Sequence, residues 1–152
     1  MRRRNFLSLA AGAASLVAIS PVAATALPQV EVFKSPHCEC CGAWVEHMKA
    51  AGFNVKVSLV NDTTAARKRL GMPDKFGSCH TATVGGYVLE GHVPAAEVKK
   101  LLAAKPAAVG LAVPGMPPGS PGMEVGARQD PYHVFLIGKS GRETVFASYP
   151  KA

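Results

Sequence analysis

The stretch that decides the fold is "VEVFKSPHCECCGAW", which runs from Val30 to Trp44. Its first four residues form a short apolar run rich in β-formers, which predicts a strand. Residues 41–51 show helical periodicity, and Gly52 follows them as the expected helix-ending glycine. Three of the four cysteines therefore lie where a first strand turns into a first helix.

The remaining sequence alternates between strand and helix patterns. Strands are indicated by period-two alternation, helices by capping residues and by a following glycine or proline, and hairpins by turn glycines. The predicted elements are a strand at 53–59 with one face on a core, a helix from Asn61 or Asp62 to Leu70, a hairpin of 81–84 and 87–90, a helix from Pro94 to Lys105, and a hairpin of 132–137 and 144–149. This order predicts an α/β, thioredoxin-like fold, with a central mixed sheet flanked by helices and a C-terminal β-hairpin extension.

Two segments resemble thioredoxins at matching positions. Cys38 and Cys41 have the C-x-x-C spacing and stand at the start of the first helix. The segment "HTATVGGYVLEGHVP" is similar to the thioredoxin segment that begins with a cis-proline and a threonine. His80 takes the place of that proline, and Thr81 matches the threonine. In that fold Cys79 lies against the C-x-x-C pair, so the resemblance implies one cluster of four cysteines with His80 beside it.

The position of the cysteines favours metal chemistry. Cys38 and Cys40 lie at or before the first helical turn, where unpaired N–H groups and the helix dipole stabilise thiolates. Cys41 lies on the inward face with Trp44, which is predicted to be core. Deprotonated sulfur and neutral imidazole suit Cu(I) and Zn(II). Adjacent helical cysteines diverge by about 100°, so Cys40 and Cys41 are not expected to share one ion; this favours several bridged Cu(I) ions over a single tetrahedral zinc.

Three long motifs occur in order along the chain, namely "CECCGAW", "SCHTATVGGYVLEGHVP" and "GLAVPGMPPGSPGME". With them the chain resembles the exported CopG-type copper-resistance proteins, long catalogued as a domain of unknown function. The resemblance implies a thioredoxin-like fold, a periplasmic location and copper bound by the cysteine cluster. It also implies a role in copper tolerance or copper redox handling, with other periplasmic copper-handling proteins as partners.

The third motif lies in a segment rich in proline and glycine, residues 112–126, which predicts a long loop without a helix or strand. Such loops are often functional. The loop contains two methionines, whose thioethers are soft ligands for Cu(I), although methionine is equally a filler of core gaps. The predicted metal ligands are Cys38, Cys40, Cys41, Cys79, His80, Met116 and Met123.

The other histidines have open or structural interpretations. His37 adjoins Cys38 and is either a ligand or a neighbour that stabilises the thiolate. His92 is either a ligand or a capping or structural residue. His47 and His133 are interpreted as surface or edge residues.

The first 26 residues resemble an export signal. Residues 1–4 are basic, residues 6–19 form an uncharged apolar run, and Ala24-Thr25-Ala26 has the form of a cleavage site. The string "RRNFL" resembles a twin-arginine signal, with Sec export as the alternative. Residues 27–152 are therefore expected to form one periplasmic metal-binding domain that does not contact the membrane after cleavage.

Charge and motif content narrow the function classes. The formal net charge of +7 falls when the three arginines of the signal are removed. The basic run at residues 67–69 lies in a helical pattern and predicts a solvated face, not a nucleic-acid surface. The alternative function is a thiol–disulfide oxidoreductase using Cys38 and Cys41. The additional Cys40 and Cys79 favour metal binding, because nearby thiols trap a dithiol enzyme in wrong disulfides.

Overall fold

The computed structural model describes residues 26–124 and 126–151, so the predicted export signal lies almost entirely outside the described residues. Within them the chain forms seven strands and three α-helices. The elements are β1 (Val30–Lys34), α1 (Glu39–Ala50), β2 (Val55–Leu59), α2 (Thr63–Arg69), β3 (His80–Val84), β4 (Tyr87–Glu90), α3 (Ala95–Ala104), β5 (Ala108–Ala112), β6 (Tyr132–Gly138) and β7 (Glu143–Tyr149), with a 3₁₀ turn at Asp74–Phe76. No helix of the described part is both long and apolar enough to cross a membrane.

The seven strands form one mixed sheet in the order β2-β1-β3-β4-β5-β6-β7. The pairs β1–β2 and β4–β5 are parallel, and the other neighbouring pairs are antiparallel. The predicted mixed α/β architecture is confirmed. The C-terminal hairpin β6–β7 extends the sheet beyond β5, as the sequence predicted.

Helices cover both faces of the sheet. Leu89 belongs to the larger hydrophobic cluster, which includes Trp44 of α1 and residues of α3. Its neighbour Val88 belongs to a smaller cluster with Met72 and Phe76, on the side of α2 and the 3₁₀ turn. Because successive strand residues point to opposite faces, β4 is buried on both sides, and its end is a rigid place for a site.

Strand β5 was not predicted. It is short and Ala-rich, and Gly110 interrupts it at a register shift against β6. A Cβ atom at Gly110 would overlap the carbonyl oxygen of Val88, so the backbones of β4 and β5 approach closely there. A glycine within a strand marks such a bulge or close approach.

The prediction that the second strand has one face on the core holds only at its start, where Val55 packs against the larger cluster. Val57 is 42% exposed and Leu59 is 63% exposed. The reason is topological, since β2 is an edge strand of the sheet. Phe53 is buried, but it precedes the strand.

The basic run at residues 67–69 is not a uniformly solvated face. Arg67 is buried, and its guanidinium lies 3.1 Å from a carboxylate oxygen of Glu90 and 3.2 Å from one of Asp74. Lys68 and Arg69 are exposed, as the pattern predicted. Helical spacing places the first residue of the run inward, where a buried carboxylate is its partner.

Candidate metal centre

The candidate site lies at one end of the sheet. β1 ends at Lys34, which pairs with His80 at the start of β3. β4 ends at Glu90, which pairs with Thr81. Since β3 is antiparallel to both neighbours, its first residues lie beside two strand ends. The residues that follow β1, precede β3 and follow β4 therefore meet in space.

The four cysteines converge at this point. The sulfur atoms of Cys38, Cys40, Cys41 and Cys79 all lie within 4.8 Å of one another. The Sγ of Cys40 is 3.4 Å from that of Cys38 and 3.9 Å from that of Cys79. The predicted spatial cluster is confirmed. The expectation that Cys40 and Cys41 do not share one ion stays a prediction, and both sulfur atoms belong to this cluster.

Two of the cysteines are bridged. Cys38 and Cys41 form a disulfide with their Cα atoms 5.4 Å apart, and Cys40 and Cys79 are free thiols. A bridged sulfur is not a thiolate, whereas a metal-binding cysteine must be one. A site that uses all four sulfur atoms therefore requires two-electron reduction of this disulfide.

Two histidines approach Cys79. The Nε2 atom of His92 lies 3.0 Å from Cys79 Sγ, and the Nδ1 atom of His80 lies 3.4 Å from it. On its other side, Nδ1 of His92 lies 2.8 Å from the carbonyl oxygen of Pro121, to which it donates. In the neutral ring that hydrogen bond leaves the lone pair of Nε2 directed at Cys79. Cys79, His80 and His92 thus form a second group of converging donor atoms.

His80 is fully buried against Trp44, whose ring centroid is 4.5 Å away. Burial, with the neighbouring His92, lowers the pKa of His80 to about 3, so the ring is neutral. Its Nε2 atom is buried and has no hydrogen-bond partner within the described residues. Buried polar atoms nearly always have a partner, so this nitrogen is an exception, whereas Nδ1 is the ring atom that faces Cys79. Trp44 is core, as predicted, and donates to the carbonyl oxygen of Val93 at 2.9 Å.

The protonation of the site follows from burial. Burial and the neighbouring Cys40 raise the pKa of the Cys79 thiol to about 12. Burial also lowers the pKa of His92. The metal-free site therefore holds a protonated Cys79 and neutral imidazoles, and a bound cation would offset the cost of a buried thiolate.

A family model described as "Protein of unknown function, DUF411" matches residues 76–123. No curated protein matches the chain. Two solved structures do, titled "Copper resistance protein copG- Form 2" and "Copper resistance protein copG- Form 1". Each is 46% identical, covers 82% of this chain and is itself 99% covered, with TM-scores of 0.78 and 0.76. The chain belongs to the CopG copper resistance protein family.

Only part of the site of this CopG-family chain lies within the matched family region. Residues 76–123 contain Cys79, His80 and His92, together with most of the proline- and glycine-rich loop. The C-x-C-C group lies before that region. The family model therefore covers the segment that contains Cys79, His80 and His92 but not the C-x-C-C segment.

The loop of the CopG-family chain packs over the helical cysteines, and its described residues between β5 and β6 form no helix or strand. Gly122 has a φ of +86°, and a Cβ atom there would lie 2.7 Å from the carbonyl oxygen of Cys40. Met123 is half-buried in this loop, and Met116 is 49% exposed. The ligand roles of these two methionines remain predictions.

The ligand list drawn from the sequence omitted His92. The register of the hairpin indicates His92. Thr81 pairs with Glu90 in an antiparallel pair, so the residue two positions before Thr81, Cys79, lies opposite the residue two positions after Glu90, His92. His37 is exposed and belongs to neither donor group of the described residues. His47, interpreted as a surface residue, is half-buried and accepts the Ala95 N–H at 3.0 Å. It therefore caps α3 and has a structural role.

Proposed function

We propose that this chain is a periplasmic copper-binding protein of copper resistance that holds Cu(I) as a multinuclear cysteine cluster. The observation that carries the proposal is the convergence of four sulfur atoms, from two distant parts of the sequence, within 4.8 Å. Soft thiolates and neutral imidazoles are the donors that suit Cu(I). The solved relatives are titled copper resistance proteins. The proposed ligands are Cys38, Cys40, Cys41, Cys79, His80 and His92, with Met116 and Met123 as further thioether ligands.

The residues at the site fit copper as bound cargo. A cation next to Cys79 favours its thiolate, and Nδ1 of the neutral His80 ring lies 3.4 Å from Cys79 Sγ. His92 is already oriented, because Pro121 holds its other ring nitrogen. Hydrogen bonds of this kind fix the tautomer and direction of metal-binding histidines.

Two finer parts of the proposal rest on the sequence. A C-x-x-C pair at the start of the helix after β1, with Cys79 directly before β3, supports a thioredoxin-like arrangement. The basic, apolar and small-residue pattern of residues 1–26 supports export. We expect periplasmic protein to begin at or near Leu27, and a chain that retains residues 1–26 there would contradict this. Changing Arg3 and Arg4 together to Lys should block export by the twin-arginine route.

Anaerobic titration with Cu(I) tests the copper proposal. The disulfide is first reduced, and bound copper and free thiols are then counted in the same samples. We expect more than one copper ion per chain and protection of all four cysteines from alkylation. A reduced protein that binds no copper tightly, with four freely alkylated cysteines, would sink the proposal.

A second candidate function is thiol–disulfide exchange, which the Cys38–Cys41 disulfide specifically favours. Cys38 is the half-exposed partner and Cys41 is buried, so attack by an outside thiolate would occur at Cys38. However, Cys40 Sγ lies only 3.4 Å from Cys38 Sγ and competes as an internal thiol. We expect weak reduction of insulin disulfides. Strong activity that persists in Cys40→Ser would favour this second function.

A further inference from the structure

The donor residues of the second group lie on two short segments that face each other. Residues 78–80 precede the body of β3, and residues 90–92 follow the body of β4. The Gly91 N–H donates to the carbonyl oxygen of His80 at 2.9 Å, and His92 faces Cys79. Gly91 has a φ of +70°, and a Cβ atom there would lie 2.5 Å from Ser78 Oγ. The two segments are therefore in direct contact, with no space for a side chain between them.

The carboxylate of Glu90 links these segments. Glu90 is fully buried, and its Oε1 accepts the backbone N–H of Ser78 at 2.7 Å. Its Oε2 accepts the hydroxyl of Thr81 at 2.7 Å. Ser78 and Thr81 are the residues on either side of Cys79-His80. One carboxylate thus fixes both ends of the dipeptide that supplies a thiol and an imidazole to the site.

Arg67 completes this arrangement. Its guanidinium lies 3.1 Å from Glu90 Oε1 and also contacts Asp74 and the hydroxyl of Thr64, at 3.2 and 3.3 Å. Both members of the Arg67–Glu90 pair are removed from solvent. A buried charge without its partner is costly, so the pair disfavours arrangements in which the carboxylate moves away.

We infer that Glu90 is a positioning residue of the metal centre, which holds Cys79 and His80 in the binding geometry through the Ser78 amide and the Thr81 hydroxyl. The inference rests on the proposed function, because it assigns the orienting group of that same site. Glu90 binds no metal itself. Removing a group that orients a metal ligand typically lowers metal affinity by about 10–100-fold.

The test compares Glu90→Gln with Glu97→Gln. Glu97 is also fully buried and ion-paired, with Lys100 and Lys151 each 3.0 Å away, but it lies on α3 and belongs to neither donor group of the described residues. Cu(I) affinity is measured by competition with a chromophoric chelator. We expect a loss of about 10–100-fold for Glu90→Gln and no change for Glu97→Gln. Equal affinity of the two variants would overturn the inference.

A second readout needs no copper. In the metal-free, reduced protein, the alkylation rate of Cys79 is compared with that of Cys40 in the same chain. Glu90→Gln should raise the ratio of the two rates severalfold, whereas Glu97→Gln should leave it unchanged. If wild-type protein binds no Cu(I), the proposed function fails, but an altered ratio still supports positioning by Glu90. An unaltered ratio would contradict the positioning role.

Two further variants separate positioning from stability. In Glu90→Gln the buried Arg67 loses its charged partner. The double variant Arg67→Met, Glu90→Gln removes that unpaired charge, so its stability should recover while its copper affinity stays low. Thr81→Val removes one of the links to Glu90, and we expect a smaller affinity loss than for Glu90→Gln. If Glu90→Gln alone does not fold, these two variants still test whether Glu90 positions Cys79 and His80. Glu90 would be merely structural if the double variant recovered Cu(I) affinity together with stability, or if Thr81→Val kept wild-type Cu(I) affinity.

Discussion

The candidate metal centre has two halves that are built differently. The helix half, Cys38, Cys40 and Cys41, is local in sequence, lies at the start of α1 and contains the disulfide. The hairpin half, Cys79, His80 and His92, joins two segments and is oriented by buried contacts to Glu90 and Pro121. The disulfide therefore lies in the helix half, and the buried contacts that orient side chains lie in the hairpin half.

The largest effect should come from the residue shared by both donor groups. Cys79 belongs to the four-cysteine group and to the group with His80 and His92. We expect Cys79→Ser to lower Cu(I) affinity more than the loss of an orienting group does, which is about 10–100-fold. Chelator competition measures this, and Cys40→Ser is the matched control with a smaller loss. The expected difference between the two halves is contradicted if Cys40→Ser lowers Cu(I) affinity more than Cys79→Ser does.

The oxidation state of the helix half should have the next largest effect. The disulfide form has two free cysteines, Cys40 and Cys79, and the reduced form has four. We expect the oxidised protein to bind at most half as much Cu(I) as the reduced protein, since bridged sulfur atoms are not thiolates. Copper analysis after anaerobic desalting measures the ratio. Equal copper content in both forms would mean that Cys38 and Cys41 are not ligands.

The two halves also differ in how far the sequence predicts them. The helix half follows from the C-x-C-C spacing between a strand and a helix, and Cys79 from its place beside the thioredoxin-like segment. The contact of His92 with Cys79 follows from extending the pairing of the predicted hairpin two residues beyond its strands, a step that the list of predicted ligands does not include. Arg67 and Glu90 were not predicted as partners, because their pairing joins α2 to β4 through tertiary packing.

The same distinction explains the errors in the fold. Alternating residues predict that β2 is a strand, but its exposure depends on its place at the sheet edge. β5 has a weak local pattern, since Gly110 interrupts it, and it is stabilised by its two neighbouring strands. Local periodicity predicts which segments are extended, whereas burial is decided by neighbours that are distant in sequence.

Gly122→Ala tests the proline- and glycine-rich loop, which contacts both halves of the site. A Cβ atom would lie 2.7 Å from Cys40 O and 2.8 Å from Trp44 N, and the adjacent Pro121 holds His92. We expect a severalfold loss of Cu(I) affinity. Gly86→Ala is the matched control, since Gly86, in the turn between β3 and β4, has a φ of +85° but nothing among the described residues within 4 Å of a Cβ. Equal affinities in the two variants would show that the loop does not position His92.

The smallest effect concerns His47, a histidine of α1 outside the donor groups. Burial lowers its pKa from the model-compound value of 6.5, although Glu124 opposes the shift. Because the folded state favours the neutral ring, its contribution to stability is fully present above pH 6.5, the pKa of the unfolded chain, and is lost as pH falls from there through the lower folded-state pKa. His47→Ala should cost about 1 kcal/mol at neutral pH, as for a lost helix cap.

Urea unfolding at neutral and mildly acidic pH measures this contribution. Wild-type protein should lose more stability on acidification than His47→Ala, since the variant has already lost the hydrogen bond to Ala95. Identical pH dependence in the two proteins would rule out the capping role. Copper affinity at neutral pH should be the same in both.

X-ray absorption of the reduced, Cu(I)-loaded protein tests most directly whether the two halves form one copper site. We predict a copper shell dominated by sulfur with an imidazole contribution. The sulfur number should fall in Cys79→Ser, and the imidazole contribution in His92→Ala, while His37→Ala leaves the spectrum unchanged. A wild-type spectrum without sulfur ligands, or one that neither Cys79→Ser nor His92→Ala alters, would contradict a copper site shared by the two halves.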